Sequence, residues 1–214
     1  MRKLYLTCGI LAPIAYVVTV IYGAAITPGY SHVAHAISSL VEAGAPLRWK
    51  IDPGFILYNC LLLAFAAGLL REVTAARRPG TLVGAALALT VVPILSLLMY
   101  FFPQDPIGSA PTTAGTVHLI LALGTAVLTI LTMLLTGAGA RRYLPLQHLR
   151  RFAVWNALFV FITGGMSTAG MALKSPYFGI FERMTIGGFE LWVLVLALSL
   201  LTGYAPAAYH EVKS

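Results

Sequence analysis

Residues Thr113 to Thr136 read TAGTVHLILALGTAVLTILTMLLT, a stretch without a single Asp, Glu, Lys or Arg. A helix rising about 1.5 Å per residue needs about 20 apolar residues to cross the hydrocarbon core of a bilayer. A membrane β-strand needs about half that length and alternates polar with apolar side chains. This stretch is long and does not alternate, so it reads as a spanning helix. Five further runs have the same character, at about 4–26, 53–70, 80–102, 152–173 and 183–204. The whole chain agrees: of 214 residues, 59% are hydrophobic and 10% charged, with mean hydropathy +0.86. A water-soluble domain carries about 25% charged residues, so this chain has another solvent. The expected fold is all-α, a polytopic six-transmembrane-helix bundle forming a single membrane domain over 1–214. The first run also resembles a signal peptide, but it is longer than a typical apolar core and Gly23-Ala24-Ala25 is a weak cleavage match. It reads as an uncleaved anchor. No internal repeat or soluble domain is legible.

Charge then orients the threading. Arg2 and Lys3, Arg71, Arg77 and Arg78, Arg141, Arg142, Arg150 and Arg151, and Lys213 fall on one side, ten of the fourteen basic residues. Arg48, Lys50, Lys174 and Arg183 fall on the other. The positive-inside rule puts the richer side, and both termini, in the cytoplasm of a cell-membrane protein. The net charge of +7 is therefore a topology signal, with anionic headgroup contact as its by-product, and nucleic acid is not an expected partner. Cys8 and Cys60 lie in the first two runs and are expected to be buried free thiols. Pro13 and Pro93 should kink their helices. Gly80, Gly84 and Ala88, and Gly165 with Ala169, form rows of small residues that allow close helix packing.

The polar residues concentrate toward the outer side. After Thr27-Pro28-Gly29-Tyr30-Ser31, the segment His32–Ala43 places His32, His35, Ser39 and Glu42 on one stripe at about 100° per residue. Val33, Ile37, Leu40 and Val41 fall opposite, so a short amphipathic interfacial helix is expected in the first outer loop. Inside the spans, Asn59, His118 and Glu190 lie roughly 7–11 Å below the outer helix ends, with Ser167 and Thr168 at a similar level. Polar groups are costly in lipid, so a shared depth points to a polar pocket open to the outer side. Asp105, Glu182 and Arg183 sit above it. The ligand-binding set is thus His32, His35, Ser38, Asn59, Asp105, His118, Glu182, Arg183 and Glu190. Each has a plainer reading: Asp105 shapes a turn, His118 bonds a carbonyl, Arg183 pairs with Glu182, and the loop stripe faces water.

For catalysis, His118, Asp105 and Glu190 are the candidate acid–base groups. His32, His35 and His118 with Asp105 make a weak zinc set, three nitrogens and a carboxylate, without any recognised motif spacing. Zinc is the one cofactor this donor set suggests. Bis-histidine haem does not fit, since only His118 lies within a span. Ser38 and Ser39 lack the Gly-x-Ser-x-Gly setting of a nucleophile elbow.

Gly29-Tyr30-Ser31-His32, Ala36-Ile37-Ser38-Ser39-Leu40 and Ala43-Gly44-Ala45-Pro46 resemble the first-loop signature of a prokaryotic membrane family known as domain of unknown function 998. Phe102-Pro103-Gln104-Asp105-Pro106 with His118 resembles its second signature, and Gly179-Ile180-Phe181-Glu182-Arg183 with Trp192 its third. The resemblance implies a six-helix membrane fold, with His118, Asp105, Ser38 and Arg183 among the matching positions, and implies no activity. Where relatives often carry a carboxylate after Ile-Ser, this chain has Ser39. Three functions follow for test: binding or moving an amphiphile or lipid headgroup, hydrolysis or transfer on outer-leaflet lipids with or without metal, and assembly with protein partners or with further copies of the chain.

Overall fold

The computed structural model describes residues 2–78, 80–140 and 149–202. It contains α1 (Arg2–Ile26), α2 (Arg48–Ala75), α3 (Gly80–Leu98), α4 (Thr113–Gly139), α5 (Leu149–Ala172) and α6 (Phe178–Thr202). All six are long and apolar enough to cross a membrane, so the chain is a multi-pass membrane protein. Among the described residues there is no strand. Arg141, Arg142, His148, His210, Lys213 and the last two positions of the expected sixth span lie outside the described residues.

Each helix packs against its neighbours in sequence, and α1 closes on α6, which gives a ring. Trp192, Leu196, Leu62, Phe65, Leu89 and Met133 are buried and fill its interior. Half of the apolar window of α6 is buried inside the bundle, against 22% for α4, so α6 is the most buried of the six helices and α4 the least. At the arginine-rich end, Arg2 Nε lies 2.9 Å from Glu72 Oε2 and Arg2 Nη2 donates to Leu200 O, tying α1, α2 and α6 together. The Tyr5 hydroxyl also donates to Glu72.

The helix ends differ from the sequence reading for local reasons. Helix α2 begins at Arg48, five residues before Pro53, because the Arg48–Asp52 pair (2.7 Å) supports a first turn there. Helix α3 stops at Leu98; Met99 to Phe102 continue as turns, since Pro103 forces the residue before it out of the helical region. Helix α6 starts at Phe178, one turn early, with its first turn bonded to the first long loop.

The amphipathic helix expected over 32–43 is replaced by turns and a single 3-10 turn, Ser38–Val41. Its backbone is claimed from outside: the Ile37 amide donates to Glu182 and the Ala43 amide to Gln104 O, bonds that a helical ladder would need for itself. Ala36, Ile37 and Leu40 are buried, so this segment enters the bundle rather than lying on a surface.

Two packing expectations change as well. Gly80 and Gly165 face open space, and tight approaches lie instead at Gly9, Gly54 and Gly68 between α1 and α2, at Gly139 against α3 and at Gly188 against α5. A Cβ on Gly9 would lie 2.6 Å from Phe65 Cδ2 and 2.9 Å from Ala197 Cβ. Cys60 is exposed on the outer surface of the ring and Cys8 is half-buried, so neither is a fully buried thiol. Overpacking a rigid core costs about 1–3 kcal/mol. Gly9→Val should therefore lower the thermal midpoint of the detergent-solubilised protein followed by near-UV circular dichroism, whereas Gly80→Ala should leave it in place.

Candidate functional site

The end of the bundle away from the arginine clusters carries the long loops 27–47 and 99–112, and they are bonded to each other and to α6. In the second turn of α6, Arg183 makes four hydrogen bonds: Nε to His32 Nδ1 (3.2 Å), Nη1 to His35 O (2.9 Å) and Gly179 O (2.8 Å), and Nη2 to the Tyr30 hydroxyl (2.5 Å). Its neighbour Glu182 accepts the Ile37 amide at 2.6 Å. The Ile180 amide donates to Val33 O, so backbone follows backbone here. Gly179 permits the approach, because a Cβ there would sit 2.5 Å from His35 O and 2.8 Å from His32 O.

The second loop holds the first from the other side. Ser38 Oγ donates to Gln104 Oε1 (2.5 Å), and Gln104 O accepts the Ala43 amide. Asp105 accepts the Thr112 amide and hydroxyl at 2.8 and 2.7 Å, while Thr112 caps α4 by accepting the Gly115 amide. Those two bonds hold the Asp105 carboxyl below its usual value, because they favour the charged form. His118, one turn into α4, donates from Nδ1 to Phe102 O at 2.9 Å. Arg48 reaches Tyr100 O and stacks over the Tyr100 ring at 5.0 Å.

Between the loops lies an open recess of about 280 Å³. Thr27, Tyr30, His35, Ser39 and Glu42 of the first loop line it, with Pro106 and Ile107 of the second. The left-handed turn at Gly29 (φ +72°) and that at Gly44 (φ +81°) bracket this stretch of chain. His35 accepts the Ser31 amide through Nδ1 at 2.9 Å, so that ring nitrogen is taken by the loop's own backbone. Partial burial raises the Glu42 carboxyl above its ordinary value, and His35 and Ser39 offset this in part. The Tyr30 phenol is likewise raised by burial, with Arg183 opposing.

Of the expected ligand-binding residues, His35 lines the recess, together with Ser39 and Glu42, which belong to the loop stripe but not to that set. His32, Ser38, Glu182, Arg183 and Asp105 hold the loops that shape it. The three intramembrane groups do not form a common pocket. Glu190 stands at the midpoint of α6, about 18 Å from its start at 1.5 Å per residue. It accepts the Tyr58 hydroxyl at 2.6 Å. Asn59 donates to Phe55 O in its own helix, and His118 turns toward Phe102 O near the loops. Glu190 Oε2 and Asn59 Oδ1 are buried without a hydrogen-bond partner among the described residues.

The zinc set is not assembled either. Among the described residues no three His, Cys, Asp or Glu side chains are grouped to hold a metal ion. The Nδ1 atoms of His32 and His35 are occupied as acceptors, and Asp105 is committed to Thr112. The same commitments separate the proposed acid–base pairs, because Asp105 and His118 bond different partners and Glu190 bonds Tyr58 in the interior. Residues the sequence reading gave no role prove central: Tyr30, Gln104 and Gly179 as loop organisers, and Tyr58 as partner of Glu190. Each stands inside or beside a stretch already singled out, but a partner across the fold has no signature in one chain.

A ring of six spanning helices, closed at one end by interlocked loops, defines the class: a polytopic α-helical membrane protein. The chain belongs to the family described as "Protein of unknown function (DUF998)", which it matches over residues 10–199. No curated protein and no solved structure matches it. The three stretches that carry the family resemblance meet in the loop cap.

Gly179→Ala should push the first loop off α6. Hydrogen exchange at residues 33–37 should then quicken while the mid-helix amides of α2 and α6 keep their protection; unchanged exchange at 33–37 would contradict the docking.

Proposed function

We propose that this protein is a cell-membrane protein of one membrane domain with both termini in the cytoplasm, and that its loop-end recess holds the polar head of an amphiphile from the outer leaflet. The orientation is supported by the basic clusters at the opposite end. It is supported too by exposed aromatic residues at the loop end, Trp49 and Phe101, which suit the headgroup level of a bilayer.

The recess is the observation that carries the reading. At about 280 Å³ it is just under the roughly 300–1,000 Å³ of small-molecule sites, a size for a headgroup rather than a whole lipid. Its walls combine hydroxyl, imidazole and carboxylate groups with Pro106 and Ile107, so a molecule polar at one end and apolar at the other fits both. Ile107 is 68% exposed at the rim, where acyl chains would pass. The rival reading, a lipid hydrolase or transferase, has less to support it, since its acid–base residues bond elsewhere.

Orientation is read by cysteine labelling. With Cys8 and Cys60 replaced by alanine, Ser109→Cys should react with a membrane-impermeant maleimide in intact cells, and Arg77→Cys only after lysis; the reverse pattern inverts the protein. Occupancy is read by native mass spectrometry after mild extraction. Wild type should carry lipid, and Ile107→Trp and Ser39→Phe, which fill the recess, should carry at least about ten-fold less. Equal lipid on all three would remove the headgroup reading.

A further inference from the structure

The recess has one acidic side chain among the described residues. Among the described residues, neither Lys nor Arg lines it, and Glu42 does. Nearby cations are otherwise engaged. Arg183 is held by His32, His35, Gly179 and Tyr30. Arg48 is paired with Asp52 and stacked on Tyr100, and Lys50 sits over the Trp49 ring at 5.2 Å. A phosphate or carboxylate entering the recess would meet a like charge with no counter-charge to offset it, and such a juxtaposition is a strong rejecting element.

Glu42 is also fixed in place. It ends the Ser38–Val41 turn, the amide after it is bonded to Gln104 O, and its own carbonyl accepts the Ala45 amide. A carboxylate on a pinned backbone loses little freedom when it meets a ligand. His35 stands beside it with Nδ1 taken by the Ser31 amide. Pro28 and Pro106 offer apolar wall to methylene groups next to a charged nitrogen.

We propose that the recess takes an ammonium group, the amine head of an amphiphile, with Glu42 as its counter-ion. This rests on the headgroup reading above and narrows it from any polar head to a cationic one. The ammonium is that of an aminoalkyl headgroup on a zwitterionic lipid, or of a free amine of the same chemistry. Arg183, the residue a lipid phosphate would otherwise choose, organises the loop instead. Because burial raises the Glu42 carboxyl, ammonium binding holds above that raised value and fades as acidification protonates the group.

The test offers the full-length protein in detergent equal amounts of phosphatidylethanolamine and phosphatidylglycerol, and separately soluble ethanolamine, with bound species counted by native mass spectrometry. Wild type should favour phosphatidylethanolamine by about ten-fold, the ratio a charge-assisted hydrogen bond commands. Glu42→Gln should bring that ratio close to one while lipid is still retained. Ile107→Lys, at the exposed rim, should tilt it toward phosphatidylglycerol and serves if Glu42→Gln does not fold. Ethanolamine binding that Glu42→Gln abolishes would support the proposal for the free amine as well. Lipid retained without headgroup preference in wild type, or a preference untouched by both variants, would overturn the ammonium assignment and leave the headgroup reading standing. No lipid on any variant would overturn both.

Discussion

The loop end of this molecule depends on one guanidinium group. Arg183 stands in the second turn of α6 and binds four acceptors, three of them on the loop that joins α1 to α2. A planar five-donor fork can hold a turn, a histidine and a tyrosine at once, which a lysine cannot. It also demands acceptors, and His32 presents Nδ1 as one of them. With the loop held there, Glu182 can take the Ile37 amide, and the chain between them is denied a regular helix. The recess is what this unwound path leaves open against the second loop.

That commitment changes what the site can recognise. Read from composition, an arginine and several histidines at the membrane surface suggest an anion site. In the fold the positive groups face inward to loop carbonyls and rings, and the carboxylate of Glu42 is left at the cavity. Charge in a sequence and charge at a surface are different quantities, because hydrogen bonding decides which groups remain available.

The spans were legible because hydrocarbon imposes length and composition directly, and neither needs a knowledge of neighbours. Their ends were less so: Pro103 stops α3, and the Arg48–Asp52 pair extends α2, both local effects outweighed in the reading by hydropathy. In the first loop, periodicity found His35, Ser39 and Glu42 as companions, and they do share the recess. It erred in assigning a helix, since Glu182 and Gln104, distant in sequence, take the amides a helix requires. The common layer of Asn59, His118 and Glu190 failed for a different reason. Depth was counted from helix starts at Pro53 and Arg183, whereas α2 and α6 begin five residues earlier and set Asn59 and Glu190 deeper, and direction changes by about 100° with each residue. Counting to Asn59 came within one position of Tyr58, which is the residue that bonds Glu190.

The Glu190–Tyr58 pair shows how the two ends of the molecule divide their work. At mid-span no water is at hand, so a carboxyl group there must find its donor within the bundle. Tyr58 supplies one, and Tyr16 packs edge-on against the Tyr58 ring at 4.9 Å, holding it in register. These three side chains come from α2, α6 and α1, the helices that Arg2 and Glu72 also join at the arginine-rich end. The same three are joined at the loop end, where the chain between α1 and α2 is fastened to α6 by Arg183 and Glu182. Polar contacts at three heights thus align one trio of helices, while α3 to α5 show fewer polar ties across the bundle, of which the Asn156 bond to Gly188 O is one. The recess is thus built on the loop of that trio, and the backbone around Glu42 is held by the Ala43 amide bond to Gln104 O and the Ala45 amide bond to Glu42 O.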